Sequence, residues 1–128
     1  PATTFVASFI GSPPMNLFDG RVSADGTTFA AGEGLVIALP QARPEFGGRD
    51  LTLGMRPEHL HMGGSHFAMQ VETVEMLGAE HLIHGTVGRC GLIVRSGPHD
   101  NPAPGTMLPL GIADNATHWF DPASGQRV

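Results

Sequence analysis

The sequence predicts an all-β domain whose short strands close into a barrel or a sandwich. Glycine and proline, 18 and 11 of 128 residues, recur every few positions and leave little room for long helices. Between them lie apolar segments of strand length, spaced roughly ten residues apart, as expected of many-stranded closed sheets. Several of these segments also alternate, so that Met69, Val71 and Thr73 point one way and Gln70, Glu72 and Val74 the other.

Taken in chain order, residues 2–10 are the main helix candidate. Phe5, Val6, Phe9 and Ile10 fall on one side, Thr3 or Thr4 can cap the start, and Gly11-Ser12-Pro13-Pro14 ends it. Such a short apolar-faced helix serves either as a lid on the barrel or as a hinge to a neighbouring domain. The strand candidates follow: 16–22, 27–31, 35–39, 51–56, 67–77, 81–87, 92–95, 107–112 and 118–120. Residues 75–81 hold either a helical turn or a bulged strand junction, since Gly78 permits a positive φ. Residues 62–65, Met-Gly-Gly-Ser, read as a loose loop, and residues 99–105 as a proline-rich one.

Composition removes several functions. A chain of 128 residues fits one domain with its own core. No apolar run approaches the roughly 18 residues needed to span a bilayer, and the first residues lack the basic and apolar regions of a secretory signal. Pro1 in place of an initiator Met leads us to expect a chain processed or cut from something longer. A formal net charge of −5, with seven scattered basic residues that are all arginine, argues against a nucleic-acid partner. Cys90 is the single cysteine, so no internal disulfide forms, and it reads as a strand-edge thiol.

The chemistry-bearing residues are sparse. His59, His61 and His66 invite a metal reading, but no cysteine lies near and the glycine pair makes a poor scaffold. The serines include no Gly-x-Ser-x-Gly elbow. Glu72 and Glu75 are offset by three and so fall on opposite faces of a strand. A P-loop needs a lysine and the chain has none, so it cannot hydrolyse ATP by itself. We assign no catalytic, cofactor-binding or metal residues. Arg56 and Glu58, two apart, form either a structural ion pair at a barrel corner or a partner- or anion-facing group. Trp119 and Phe120 are core residues by default, although aromatics also mark interface centres.

Four segments in register carry more. They are residues 5–16, FVASFIGSPPMN; 53–60, LGMRPEHL; 71–80, VETVEMLGAE; and 120–128, FDPASGQRV. In this order and spacing the chain resembles the C-terminal regulatory domain of carbohydrate-importer ATPases, the transport-associated OB (TOBE) type. It is most similar to the glycerol-3-phosphate branch, with the maltose type a near relative. Met55 and Trp119 depart from the residues common there.

The resemblance implies an OB-type barrel over residues 17–128, with residues 1–16 as a hinge helix and connector from an ABC-type ATPase domain on the cytoplasmic face of the membrane. It implies no cofactor in this chain, ATP and Mg belonging to that ATPase domain. Its partners would be a second copy, the membrane subunits reached through the ATPase domain and, in some relatives, an inhibitory protein or a small effector. The residues carried over by position are structural and interfacial: Gly54, Arg56, Pro57 and Glu58; Gly78, Ala79 and Glu80; and Phe120, Asp121 and Gly125. Interface candidates are Arg56, Glu58, Gly78, Glu80, Trp119 and Phe120. The second reading is a small-ligand domain for an oxyanion or phosphorylated metabolite, using Arg56 and backbone amides near Gly78.

Overall fold

The computed structural model describes residues 13–32 and 34–128. The helix expected over residues 2–10 lies outside them. Nine strands follow one another: β1 (Asn16–Val22), β2 (Thr28–Ala30), β3 (Val36–Ala38), β4 (Asp50–Met55), β5 (Leu60–Met76), β6 (His81–Val87), β7 (Cys90–Ser96), β8 (Met107–Ile112) and β9 (His118–Phe120). Short 3-10 turns at Pro44–Phe46 and Pro57–His59 join β3 to β4 and β4 to β5. All strand pairs are antiparallel and form two sheets, ordered β3-β2-β1-β4-β9 and β7-β6-β5-β8.

One face of each sheet is turned inward, because strand side chains alternate. Phe18 and Val22 of β1, Leu51, Leu53 and Met55 of β4, and Trp119 of β9 meet Met69 and Val71 of β5, Ile83 of β6 and Val94 of β7 in one core. Burying each large side chain stabilises the fold by roughly 1.5–3 kcal/mol. The outer face of the first sheet carries a ladder of direct cross-strand partners. Arg21 pairs with Asp50 at 2.8 Å and Thr52 donates to Asp19 at 2.5 Å, each pair directly opposite in register.

At the end of that ladder, Leu17, Met15 and Phe120 fill the space over Gly54. A Cβ there would press on the Met15 sulfur and lie 3.1 Å from the Phe120 ring, so the glycine of the Leu-Gly-Met-Arg-Pro motif makes room for this second small cluster.

The longest strand differs most from expectation. Residues 60–66 are not a loose loop but the first half of β5, paired with β8 at Leu60–Ile112, His61–Gly111 and Met62–Leu110. The Gly-Gly stretch is an irregularity within the ladder, which resumes at Phe67–Leu110. Gly64 is required there, since a Cβ would run into the Gly111 backbone. His66 is tied in as well, its Nδ1 accepting the Ile112 amide at 2.9 Å.

A second irregularity falls at Glu72, between the pairs Val71–Gly85 and Thr73–His84. The extra residue reverses the alternation. Val74, rather than Thr73, therefore packs against the core.

Candidate functional site

The interface candidates occupy three separate places. The first is the corner after β4. Arg56 ends the strand in extended backbone, its carbonyl accepts the His59 amide at 2.9 Å, and Pro57 begins the 3-10 turn that swings Glu58 outward. Because the chain turns at Pro57, Arg56 and Glu58 do not share a strand face, and no ion pair joins them. The structural-pair reading of these two is thereby corrected.

The charge of Arg56 bears on His118, where a second arginine arrives from the C-terminal tail. The tail folds back on β9: Asp121 accepts the Ala123 and Ser124 amides at 2.8 and 3.0 Å, and Phe120 bridges to Arg127. The Ser124 and Ala123 amides hold the Asp121 carboxyl below the usual carboxylate range. Arg127 then lies over the Phe120 ring at 5.1 Å and donates through Nη2 to His118 Nδ1 at 3.3 Å. Burial first, then Arg127 and Arg56, push the His118 imidazole down from 6.5 to about 4. The imidazole is neutral near pH 7 and accepts from the arginine. This corner is held by a turn, a cation over a ring and an arginine–histidine bond.

The second place is the β5–β6 hairpin. Leu77 donates to the Glu80 carbonyl at 2.9 Å across a tight turn, and Gly78 takes φ +77° there, the left-handed conformation that the sequence anticipates. Glu80 pairs with Arg95 of β7 at 3.2 Å. On the adjoining outer face, His84 pairs with Glu75 at 3.0 Å, and Glu72 lines a groove that His84 also lines. The expectation that Glu72 and Glu75 diverge fails because of the bulge at Glu72: both flank His84. The grooves along β1, β5, β6 and β7 are lined by other residues than Arg56 and Gly78.

The third place is the interior. Trp119 is 3% exposed, donates through Nε1 to Thr117 at 3.3 Å and packs edge-on against Phe29 with ring centroids 5.6 Å apart. Phe120 is fully buried on the opposite face of β9. Neither side chain offers surface to a partner from this chain, and the default core reading applies to both. The exposed large apolar side chains are elsewhere, among them Met76 and Leu77 at the hairpin and Met107 on β8. Cys90 is exposed at the start of the edge strand β7.

Sequence reasoning passed over Asn16, Arg95, His118 and Arg127. Asn16 and Arg127 lie inside segments that the motif reading quotes, but the partner of Asn16, Ile93, is distant in sequence, and Arg127 reaches His118 and Phe120 only because the tail folds back on β9.

Two antiparallel sheets around one core, with motif residues gathered in supporting corners, define an all-β domain of OB type. The TOBE domain matches residues 53–120 and the MalK OB fold domain residues 11–60, and the chain belongs to the TOBE domain family. Its relatives include the sn-glycerol-3-phosphate import ATP-binding protein UgpC of Yersinia pestis, 47% identical over 130 residues, which takes in 100% of this chain and 36% of that protein. The proteins of the same name from Pectobacterium atrosepticum and Escherichia coli K12 are each 44% identical, with 100% of this chain and 37% of theirs covered. The chain thus spans a little over a third of the length of these relatives and corresponds to their C-terminal region. Among the described residues, no helix is long and apolar enough to cross a membrane.

Proposed function

We propose that this chain is the regulatory and dimerisation domain of the ATP-binding subunit of an ABC importer for glycerol-3-phosphate or a related sugar or polyol. The observation that carries the reading is similarity to import ATP-binding proteins along the whole chain, at 47% identity. In this reading the chain itself catalyses nothing. ATP and Mg are handled by an ATPase domain that precedes it in the subunit, at the cytoplasmic face of the membrane, with residues 1–16 as the connector. Its partners are a second copy of itself and, through the ATPase domain, the membrane subunits. A regulatory protein docking on the barrel is a further partner of the same class.

The geometry supports a surface role for the Arg56–Glu58 corner and the Gly78–Glu80 hairpin, since both are reachable by a partner while Trp119 and Phe120 are not. Sedimentation of the 128-residue chain across a wide concentration range tests the dimerisation. We expect a monomer–dimer equilibrium that Arg56→Ala weakens while leaving the urea midpoint unchanged, because removing one end of an interfacial pair strands the other. A strict monomer at millimolar concentration, or an Arg56→Ala chain that simply unfolds, would reduce this corner to a structural clamp.

A further inference from the structure

We infer that Asn16 is a side-chain latch that seals the barrel seam between β1 and the edge strand β7. The backbone ladder leaves this seam open. β1 belongs to the first sheet, β7 is the outermost strand of the second, and among the described residues no strand pairing joins the two. On its inner side β7 pairs with β6 residue for residue, from His81–Ser96 to Val87–Cys90. On its other side Ile93 turns both of its peptide groups outward. Asn16 takes both: Nδ2 donates to the Ile93 carbonyl at 2.9 Å, and Oδ1 accepts the Ile93 amide at 2.9 Å.

A carboxamide carries one donor and one acceptor side by side, as a peptide does. One side chain therefore satisfies a β7 residue in the way an added strand residue would. The pairing is sheltered, with Asn16 only 8% exposed, and Pro14, Met15 and Leu17 line the same groove with Gly91, Leu92 and Ile93. It occupies outward backbone groups that an edge strand otherwise offers to foreign strands. It also fastens the chain leading into β1 to the β6–β7 hairpin, 77 residues away in sequence. The latch stands on this geometry alone, independently of the regulatory role.

The chemistry is selective. Alanine at this position supplies neither bond. An ionised carboxylate supplies two acceptors and opposes the Ile93 carbonyl, whereas a protonated carboxyl again presents one donor and one acceptor. Amide hydrogen exchange of the whole chain, read residue by residue, separates these cases. In Asn16→Ala the Ile93 amide exchanges about tenfold faster or more, the scale of one lost hydrogen bond, while Ile83 and Leu53 in the sheet interiors change far less. In Asn16→Asp the Ile93 amide is fast at neutral pH. Its protection relative to wild type returns as the pH falls through the carboxyl range near about 4. Glu72 and His84 line the same groove and are present in both proteins, so wild type at each pH is the reference. Unchanged Ile93 protection in both variants overturns the latch. So does an equal loss at Ile93, Ile83 and Leu53, which makes Asn16 only a contributor to global stability. Should Asn16→Ala fail to fold, the recovery of Asn16→Asp at low pH still decides, and its absence there overturns the proposal.

Discussion

Replacing Gly64 by alanine adds one methyl group to a position whose nearest neighbours are backbone atoms. In β5 the new Cβ meets the Cα and N of Gly111, with the Leu110 carbonyl carbon 2.7 Å away. Backbone of a paired strand cannot rotate aside, so β5 and β8 must separate locally. Overpacking of this kind costs about 1–3 kcal/mol. Separation also weakens neighbouring bonds such as Ile112 N–H to His66 Nδ1, each worth about 0.5–1.5 kcal/mol. The sum is about 3 kcal/mol, which at a urea m-value of about 2 kcal/mol/M lowers the midpoint by about 1.5 M. Gly111→Ala is an internal comparison, because the nearest atoms to its added Cβ all belong to the imidazole of His61, an exposed side chain that can swing away. Urea denaturation followed by circular dichroism should therefore rank wild type above Gly111→Ala and Gly111→Ala above Gly64→Ala. A Gly64→Ala protein within about 0.5 kcal/mol of wild type, the tolerance of an ordinary surface site, would return this stretch to the loose loop that its composition suggests.

Trp119→Ala should cost about 3–5 kcal/mol, as large aromatic truncations in cores do, and the thermal midpoint followed by circular dichroism measures it; a near-neutral result would place Trp119 at the surface. Stability should fall as the pH drops from about 6.5 toward 4, because the unfolded imidazole of His118 binds a proton in this window while the folded one, depressed to about 4, does not; denaturation of wild type and His118→Gln across that range isolates this contribution. Arg127→Ala should raise the His118 pKa by removing a neighbouring cation, and an NMR titration of the imidazole that shows no upward shift would remove Arg127 from the corner.

Most of the strand inventory was legible because each strand is short, alternating and bounded by turn residues. The expected bounds of β1, β6, β8 and β9 agree with those observed, and β2, β3, β4 and β7 differ by a residue or two at their ends. The first half of β5 was hidden. Met-Gly-Gly-Ser has no strand signal of its own, and its pairing depends on Gly111, nearly fifty residues later. The alternation after Val71 was misjudged for a related reason: the bulge at Glu72 is set by registration against β6, not by local sequence.

The candidate site divides in the same way. Pro57 as the end of regular pairing and the positive φ at Gly78 follow from local backbone chemistry and are found, while residues 77–80 form a hairpin turn rather than a helical turn or a bulged junction. The link from Asn16 to Ile93, the meeting of Arg127 with His118 and Phe120, and the ion pair of Glu80 with Arg95 are products of tertiary folding. Adjacent aromatics gave no indication that Trp119 and Phe120 would be buried on opposite faces of one strand, because that requires the Met15–Leu17 segment to cover the second face.

The proposed regulatory role is tested most directly by exchanging domains. The Escherichia coli UgpC protein is 44% identical to this chain over the matched 131 residues, so the matched region can be replaced by this chain at the point where the alignment begins. Uptake of labelled sn-glycerol-3-phosphate is then compared in cells carrying the native subunit, the exchanged subunit and one truncated at the same point. We expect the exchanged subunit to restore uptake that the truncated one lacks, and Arg56→Ala within it to reduce that uptake without lowering the amount of folded subunit. An exchanged subunit that is folded and abundant yet imports no better than the truncated one would contradict the assignment.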